Sequence, residues 1–566
     1  MNYNKELAKI FFSMANYLEM DEASFRSNAY RKVAGVLEML DKDVKDVYSK
    51  GGLKSLEEIE GVGKNIALKI EEFLKTKKVK DFDRLKKKVP IKLDEIIAIE
   101  GMGVKKAKVL YEKLKIKNVK DLEKAAKKHK IALLEGFGEK TEKNILEGIA
   151  FLKRSSGRFL LGEATFITKD ILRKLENLKE VEKLNVAGSF RRRKETIGDI
   201  DILVVSKKPE KVMDFFVGMD NVAKVWGKGS TKSSIRTEEG IDVDLRVVPA
   251  KSFGSALQYF TGSKEHNIVT RRIAIDKGLK LNEYGVFKGK KMIAGKTEED
   301  VYKAIGLNWI PPEMRENQGE VVKKIPKIVE LGDIKGDLHC HSDWDGGDNA
   351  ISVIARRAIE KGYEYIGISD HTQFLKIENG LNEKELLEQK KEIEKLNKKF
   401  KIKILWGCES NILPDGSIDI SDDVLKQMDY VIAGVHSSLK MKEKEMTKRI
   451  ITAMKNPNVD IIAHPTGRIL QKRDEYNVDF DEILKAAKEN NVILEINSSP
   501  YRLDLKDSNI KKAKEMGVKM IIGTDAHHIQ QLDLMKFGVS QARRGWAEKK
   551  DIINTQPLVK LLKYFK

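Results

Sequence analysis

Residues 186–206 read VAGSFRRRKETIGDIDILVVS, and the end of this stretch decides the fold of the first half of the chain. IDILVV is the apolar, β-branched run of a buried strand. Side chains alternate along a strand, so Asp199 and Asp201 leave the same face of it. A second strand is expected at IDVDLRVV, 241–248, with residues 241, 243, 245 and 247 on one face and Asp242, Asp244 and Arg246 on the other. Carboxylates on adjoining strands form an oxygen-rich site that suits Mg²⁺. Two such ions activate an attacking hydroxyl and stabilise a pyrophosphate leaving group. Upstream, Gly188-Ser189 and Arg191-Arg192 offer a turn and guanidinium groups for a triphosphate. A lone Asp-Ile-Asp is usually a pair of surface acids on an edge strand. This one follows Gly-Ser and three arginines, which favours a site.

Residues 1–150 carry apolar residues at three- and four-residue spacing and read as helices. One pattern occurs three times: EGVGKNIALKI (60–70), EGMGVKKAKVLY (100–111) and EGFGEKTEKNILEGI (135–149). Two glycines permit a tight turn, and the first amides of the following helix then face outward and can hold a phosphate. Such contacts read a nucleic-acid backbone, not its sequence. One copy would be an ordinary helix–turn–helix packing motif. Three copies, each followed by lysines, favour a binding role; they resemble helix-hairpin-helix DNA-binding motifs, which implies DNA contacts for Gly61, Gly63, Gly101, Gly103, Gly136 and Gly138.

Beyond residue 335 the rhythm changes to strand–helix. Seven apolar runs end in polar or ligand-type residues: DLHCH, EYIGISDH, IKILWGCE, YVIAGVH, DIIAHP, VILEINSS and KMIIGTDAH. Parallel barrel strands present their C-terminal ends on one rim. That gathers His339, His341, His371, Glu409, His436, His464, Asp525 and His527. One histidine at a strand end is usually structural; five strand ends bearing them are not. The set suits Zn²⁺, Mn²⁺ or Fe²⁺, and its size implies two or three ions and phosphoester hydrolysis. Glu495 and Asn497 are expected behind the ligands and His528 is expected to be structural. Alternation turns Cys340 and Cys408 into the core.

The chain has 566 residues and a formal net charge of +20. Residues 1–335 hold 69 basic and 51 acidic side chains, whereas 336–566 hold 38 and 36, so almost all the surplus lies in the first part. Charge alone fits solvated lysine-rich helices as well as a polyanion-binding half; the motifs favour the second. No stretch approaches the roughly 18 apolar residues of a membrane span. The first residues look like an amphipathic helix, not a secretory signal. Two cysteines exclude a disulfide scaffold and point to a reducing, cytoplasmic setting.

Gly-Ser followed by Gly-Asp-Ile-Asp resembles the nucleotidyltransferase signature. YFTGSKEHN (259–267) and LNEYGVF (281–287) narrow the resemblance to family X DNA polymerases, the DNA polymerase beta family. It implies that Asp199, Asp201 and Asp244 bind Mg²⁺ or Mn²⁺; spacing alone does not choose between Asp242 and Asp244. It implies triphosphate contacts for Ser189, beside Gly188, and Arg192. Tyr259 and Phe260, with Gly262 in the same turn, flank the sugar. Asn267 meets the incoming base in the minor groove and Arg271 the template side. Lys264 looks like the prokaryotic type and is expected to aid nucleotide binding. Arg193 stands where the family usually has glycine. Lys69 matches the family's Schiff-base lysine for 5′-deoxyribose phosphate removal, with Arg26, Tyr30 and Lys64 as its phosphate set and Asn65 in place of a typical lysine.

The C-terminal pattern resembles the polymerase and histidinol phosphatase (PHP) domain, a distorted seven-stranded barrel with a trinuclear metal site. Its motifs match the eight ligand-type residues. For a ninth, HSDWDGG makes Asp345 the leading choice beside Asp343 and Asp348. The expected architecture is multidomain, α+β then α/β. A helical lyase-like domain with the first hairpin spans 1–90 and a second helix-hairpin-helix subdomain 91–155. A palm with a mixed sheet follows at 156–258, a nucleotide-binding subdomain at 259–318, a linker at 319–334 and the barrel at 335–566. The resemblance implies a monomeric repair polymerase that fills nicks and short gaps in double-stranded DNA from dNTPs. The barrel is expected to be a 3′–5′ exonuclease or 3′-end phosphoesterase. The rival is a PHP phosphoesterase carried on a polymerase-inactive DNA-binding half.

Overall fold

The chain separates into two units, Met1–Gly157 and Arg158–Lys566. The structure, a computed structural model, describes all residues other than 1–2, 21–23, 41, 60, 98, 100–101, 155–156, 376–378, 472 and 566. No helix among the described residues is long and apolar enough to cross a membrane.

The first unit is helical, as its apolar spacing requires. Helices Tyr3–Met20, Ser24–Met39, Val44–Glu57 and Lys64–Thr76 enclose a core that includes Leu7, Phe11, Leu37, Leu56, Ile70 and Phe73. Helices Leu93–Ile97, Val104–Leu114, Val119–Lys127 and Gly138–Arg154 enclose a second core around Leu93, Ala107, Leu110, Leu122 and Ile145. Tyr17 contributes to the second core, and its hydroxyl donates to the Ile91 carbonyl at 2.6 Å.

The second unit opens with the five-stranded palm sheet. Its order is Lys183–Val186, Asp199–Val205, Asp242–Val247, Lys232–Thr237, Val222–Lys228. Only the Asp199–Val205 and Asp242–Val247 strands run parallel, so the sheet is mixed. Ile200, Ile202, Val204, Val243 and Leu245 are buried on one face. On the other, Leu203 and Val205 are covered by Phe253, Ala256 and Leu257 of helix Phe253–Thr261. The cover involves the late residues of the strand, and Asp199 and Asp201 come before it. Next, helix Lys264–Asp276 and helix Glu298–Ala304 share a core with an antiparallel three-stranded sheet: Ala274, Leu281, Val286, Val301 and Ile305.

The segment expected as a linker is packed. Ile328 joins Tyr302, Ile310, Met314 and Trp546 in one cluster, and the Val329 amide donates to Ala547 at 2.9 Å. Its apolar residues are numerous enough to need burial, and the barrel supplies the surface. Palm and barrel also meet through Glu195, which accepts from Arg468 at 2.6 Å and Gln541 at 2.7 Å.

The seven predicted apolar runs form seven parallel strands that neighbour one another in chain order, from Gly336–Asp337 to Met520–Gly523. Their residues are buried on both faces, which is why the runs are continuous instead of alternating. The ring nearly closes. At the upper end the His341 amide donates to Ala526 at 2.8 Å. Lower down, Asn554 bridges first and last strands, donating to Gly336 and Ile522 and accepting from the Ile522 amide. Leu338, Tyr365, Leu405, Tyr430 and Ile461 fill the interior together with Leu561 from the C-terminus. The C-terminal strand ends therefore carry the accessible chemistry.

Candidate functional sites

The palm site follows from register. Asp199 lies opposite Asp242 and Asp201 opposite Asp244 on the parallel strand pair. Asp242 is occupied: Arg236 grips it with two bonds of 2.8 and 2.7 Å, and Trp226 Nε1 donates at 2.8 Å. Asp244 accepts from Ser234 at 2.5 Å and lies 3.0 Å from Lys232 Nζ. Burial, with Asp199 and Asp244 beside it, pushes the Asp201 carboxyl up to about 7. Burial and the charges of Asp244 and Asp242 raise Asp199 as well. Crowded carboxylates of this kind fit a divalent cation, whose charge replaces the missing counter-charge.

The turn beneath is built for close approach. Gly188 has φ +62°, and a Cβ there would come within 2.4 Å of Asp201 Oδ2. Ser189 follows it in the short helix Gly188–Arg191. Arg193, expected from the resemblance to stand in place of a glycine, has φ +55°, a left-handed backbone that suits glycine. Arg192 Nε donates to Glu316 at 3.0 Å and Nη1 to the Thr261 carbonyl. Arg191 is bidentate on Glu298 at 2.7 and 2.8 Å. Buried Arg315 and Trp309 also donate to Glu298. Burial opposes that carboxylate's charge, yet Arg315 and Arg191 hold it down to about 2.

Tyr259 and Phe260 meet edge to face at 5.1 Å, and the Arg246 guanidinium lies 4.6 Å from the Phe260 ring. Gly262 has φ +66° in the turn that follows. Lys264 opens helix Lys264–Asp276 and is exposed. Asn267 is buried, donating to the Tyr259 carbonyl at 2.6 Å and accepting from Gln258 at 2.9 Å. Arg271, exposed, donates to the Asn267 carbonyl at 3.2 Å.

In the hairpins, Val62, Met102 and Phe137 are buried while Gly61, Gly63, Gly103, Gly136 and Gly138 are exposed. Gly101 lies outside the described residues. Gly63 and Gly103 precede helices Lys64–Thr76 and Val104–Leu114 with no side-chain cap, leaving first-turn amides to solvent or a ligand. Lys69 does not match its expected state. Its Nζ lies 2.9 Å from Asp81. Burial would lower its pKa, but Asp81 and Tyr30 outweigh that and raise it. A Schiff-base lysine needs the opposite.

In the barrel, the other seven predicted residues gather around Glu409. His371 Nδ1 lies 3.0 Å, His339 Nε2 3.2 Å and His341 Nε2 3.5 Å from its Oε2; His464 Nε2 lies 3.0 Å and His436 Nε2 3.1 Å from its Oε1. Asp525 Oδ1 is 3.4 Å from His341 Nε2, and the His527 ring stacks on His341 at 4.1 Å. Four groupings among the described residues offer convergent ligand atoms: His339, His341, Glu409 and Asp525; His371, Glu409 and His436; His341, His371 and His527; His341, Asp345 and Asp370. His339 Nε2, His341 Nε2 and His371 Nδ1 are buried without a hydrogen-bond partner. Buried polar atoms are rarely left so, and these fit metal ions. Burial pushes His371 down to about 3, keeping a lone pair free. Burial would raise Glu409 too, but the surrounding imidazoles hold it well below the usual range. Two of the predicted ligand residues, His464 (φ +29°) and Asp525 (φ +55°), have backbones in the left-handed region, a strain that clusters at functional sites.

Asp345 also stands behind one of these imidazoles. Its Oδ2 accepts from His341 Nδ1 at 2.8 Å and from the His371 amide at 2.8 Å, at the ring nitrogen opposite the one that faces Glu409. It orients the His341 ring through Nδ1 and, against burial, raises that imidazole to about 10. Glu495 does the same for His339 at 2.6 Å, and Asn497 donates to Asp525 at 3.1 Å. His528 accepts from the Gln530 amide, and Cys340 and Cys408 are buried in the core. Sequence reasoning missed Asn411, which holds His436 Nδ1 at 2.7 Å. It also missed Asp370, buried and bonded to Ser342. Asn411 lies two residues past Glu409, so the strand period could have found it. Asp370 precedes His371 and had no such signal.

Comparison with known proteins gives a consistent picture. Residues 161–239 match the DNA polymerase beta palm, 256–316 the DNA polymerase beta thumb and 337–499 the PHP domain. Residues 2–79 match a helix-hairpin-helix domain and 93–150 a SAM-like helix-hairpin-helix tandem. The chain is 38% identical over 564 residues, 98% of each chain, to the DNA polymerase/3′-5′ exonuclease PolX of Bacillus subtilis (strain 168). It is also 36% identical over 206 residues to a probable phosphatase of Thermoanaerobacter sp. (strain X514), covering 34% of this chain and 78% of that protein.

Proposed function

The chain belongs to the family X DNA polymerases that carry a C-terminal PHP domain, and on that footing we propose how its two sites divide the work. It is a DNA polymerase and a 3′–5′ exonuclease. The observation that carries the first activity is the register that sets Asp201 opposite Asp244 on parallel strands. Asp199, Asp201 and Asp244 hold Mg²⁺ or Mn²⁺. When bound, such ions make a primer 3′-hydroxyl easier to ionise and neutralise a departing pyrophosphate. Gly188 lets the backbone approach, while Ser189 and Arg192 receive the triphosphate of a dNTP. Tyr259, Phe260 and Gly262 bound the sugar, Lys264 aids nucleotide binding, Asn267 meets the base and Arg271 the template side.

The hairpin glycines Gly61, Gly63, Gly101, Gly103, Gly136 and Gly138 hold the sugar-phosphate backbone of nicked or gapped duplex through main-chain amides. In the barrel, His339, His341, His371, Glu409, His436, His464, Asp525 and His527 hold two or three ions of Mn²⁺, Zn²⁺ or Fe²⁺. Asp345, Glu495 and Asn411 keep the imidazoles in the ligating orientation. The protein works as a cytoplasmic monomer in DNA repair. Its domains run 1–90, 91–155, 156–258 and 259–318, then the packed connector 319–334 and the barrel 335–566.

The test is extension and degradation of a 5′-phosphorylated gapped duplex in Mg²⁺ and in Mn²⁺ by wild type, Asp201→Ala and His341→Ala. Each variant should lose one activity and keep the other. Loss of both in either variant would contradict two separate sites.

A further inference from the structure

Beside the barrel's metal-ligand cage lies a cavity of about 630 Å³ that the polymerase half helps to build. That volume lies within the roughly 300–1,000 Å³ range of small-ligand sites. Thr524, Asp525 and His527 line it, the last two being members of the cage. Ser499, Pro500 and Tyr501 border it from the loop after the sixth barrel strand, and Lys536 and Phe537 from helix Met535–Arg544. The remaining wall comes from palm helix Leu161–Glu176 through Gly162, Thr165, Phe166 and Lys169.

Those four positions follow i, i+3, i+4, i+7 and form one stripe of the helix. The opposite stripe, with Leu161, Ala164, Ile167, Ile171 and Leu175, is buried in the palm. Phe166 is therefore not needed for packing, and it is 79% exposed; Tyr501, on the wall of the same cavity, is 54% exposed. A single exposed aromatic is unremarkable. Two on one cavity that also contains metal ligands need an occupant with flat apolar faces. The walls are held together, since a Cβ on Gly162 would lie 2.7 Å from Pro500 Cβ. Lys169 and Lys536 line the same cavity from opposite domains, and two ammonium groups on its wall suit an anionic occupant. The barrel half as a whole is near neutral, with 38 basic and 36 acidic residues, so this pairing of cations is local.

Resting on the exonuclease reading above, we propose that this cavity seats the 3′-terminal nucleotide of the DNA. Phe166 and Tyr501 stack on its base, and Lys169 and Lys536 hold the phosphates on its 5′ side. Aromatic stacking accepts every base, as an end-trimming activity requires. The palm thus supplies part of the substrate site for the other active centre, and Phe166 and Tyr501 act in binding, not in the hydrolytic step.

The experiment uses the full chain with Mn²⁺ and two single-stranded oligonucleotides, one ending in an ordinary nucleotide and one in a tetrahydrofuran residue that lacks the base. Wild type should show a KM about tenfold lower for the base-bearing end, the effect expected of one stacked base. Phe166→Ala and Tyr501→Ala should each remove that preference by raising the KM for the base-bearing end alone, with kcat and gap filling unchanged. Phe166→Trp should retain it. Equal KM values for both ends in wild type, or an intact preference in both alanine variants, would overturn the proposal. No nucleotide release from either end by wild type would instead sink the exonuclease reading and this proposal with it.

Discussion

Arg544, on the barrel helix Met535–Arg544, donates a 2.8 Å hydrogen bond to the main-chain carbonyl of Arg192 in the palm. The same guanidinium reaches Glu316 at 3.1 Å and Asp507, and Glu316 in turn accepts from the Arg192 side chain at 3.0 Å. The residue proposed to receive the triphosphate is thus oriented from both its main chain and its side chain by one buried network spanning palm and barrel. Arg544→Ala leaves Asp507 and Glu316 without their shared cation. Breaking such a buried pair costs about 3–5 kcal/mol. Chemical denaturation should show that loss, and gap-filling kinetics should show a raised KM for dNTP. Wild-type values for both would contradict the coupling.

Glu298 stabilises the region that joins palm and thumb. Its folded pKa of about 2 lies below the ordinary 4.5, so its ionised form favours folding. The contribution is present in full above about pH 4.5 and is lost as pH falls toward 2. From the size of the shift it is roughly 3 kcal/mol. Glu298→Gln should be less stable than wild type at pH 7, with the gap narrowing as pH drops through that window. A gap that widens on acidification would disprove the assignment.

Gly188→Ala should separate the two activities. The added Cβ meets Asp201 and the backbone must keep a positive φ. A displacement of an ångström at a catalytic group costs about 100-fold in rate. Gap filling should fall by that order while 3′ degradation stays at the wild-type rate. Unchanged gap filling would mean that Asp201 can move without consequence.

Asp345→Asn distinguishes an orienting residue from a ligand. If Asp345 acts through His341 Nδ1, Mn²⁺ affinity should fall about 10- to 100-fold with the number of bound ions unchanged. Calorimetric titration measures both quantities. A lost binding site would make Asp345 a direct ligand.

The Lys69–Asp81 pair predicts weak lyase activity in the wild-type chain, because the amine is held protonated. Asp81→Asn removes the larger raising influence and leaves Tyr30 alone against burial, which lowers the pKa. Borohydride trapping on a 5′-deoxyribose phosphate substrate should rise in this variant. Strong trapping by wild type, or none gained by Asp81→Asn, would refute the argument.

Much of this molecule was legible in one dimension. The alternation in IDILVV and IDVDLRVV places three acids on one face, because a strand's period of two is a local property. The seven continuous apolar runs, each ending in a polar or ligand-type residue, imply a barrel and its rim for the same reason. The repeated Gly-x-Gly turns state where helix amides are exposed. Local patterns do not say which acids are already consumed. Asp242 and Asp244 share a face and a spacing, and only the cross-sheet neighbours Arg236 and Trp226 take one of them out of play. The sequence marks Asp345 as a ninth ligand-type residue, and only the fold shows its carboxylate bonded to His341 Nδ1. The connector looked like a linker until Trp546, more than two hundred positions later, covered it. The cavity that joins Phe166 to Asp525 has no trace in either segment. Periodicity, turn chemistry and residue type are written into neighbouring positions and survive reading along the chain. Pairing, burial and the sharing of charge depend on side chains brought together from distant positions, and only the tertiary structure decides them.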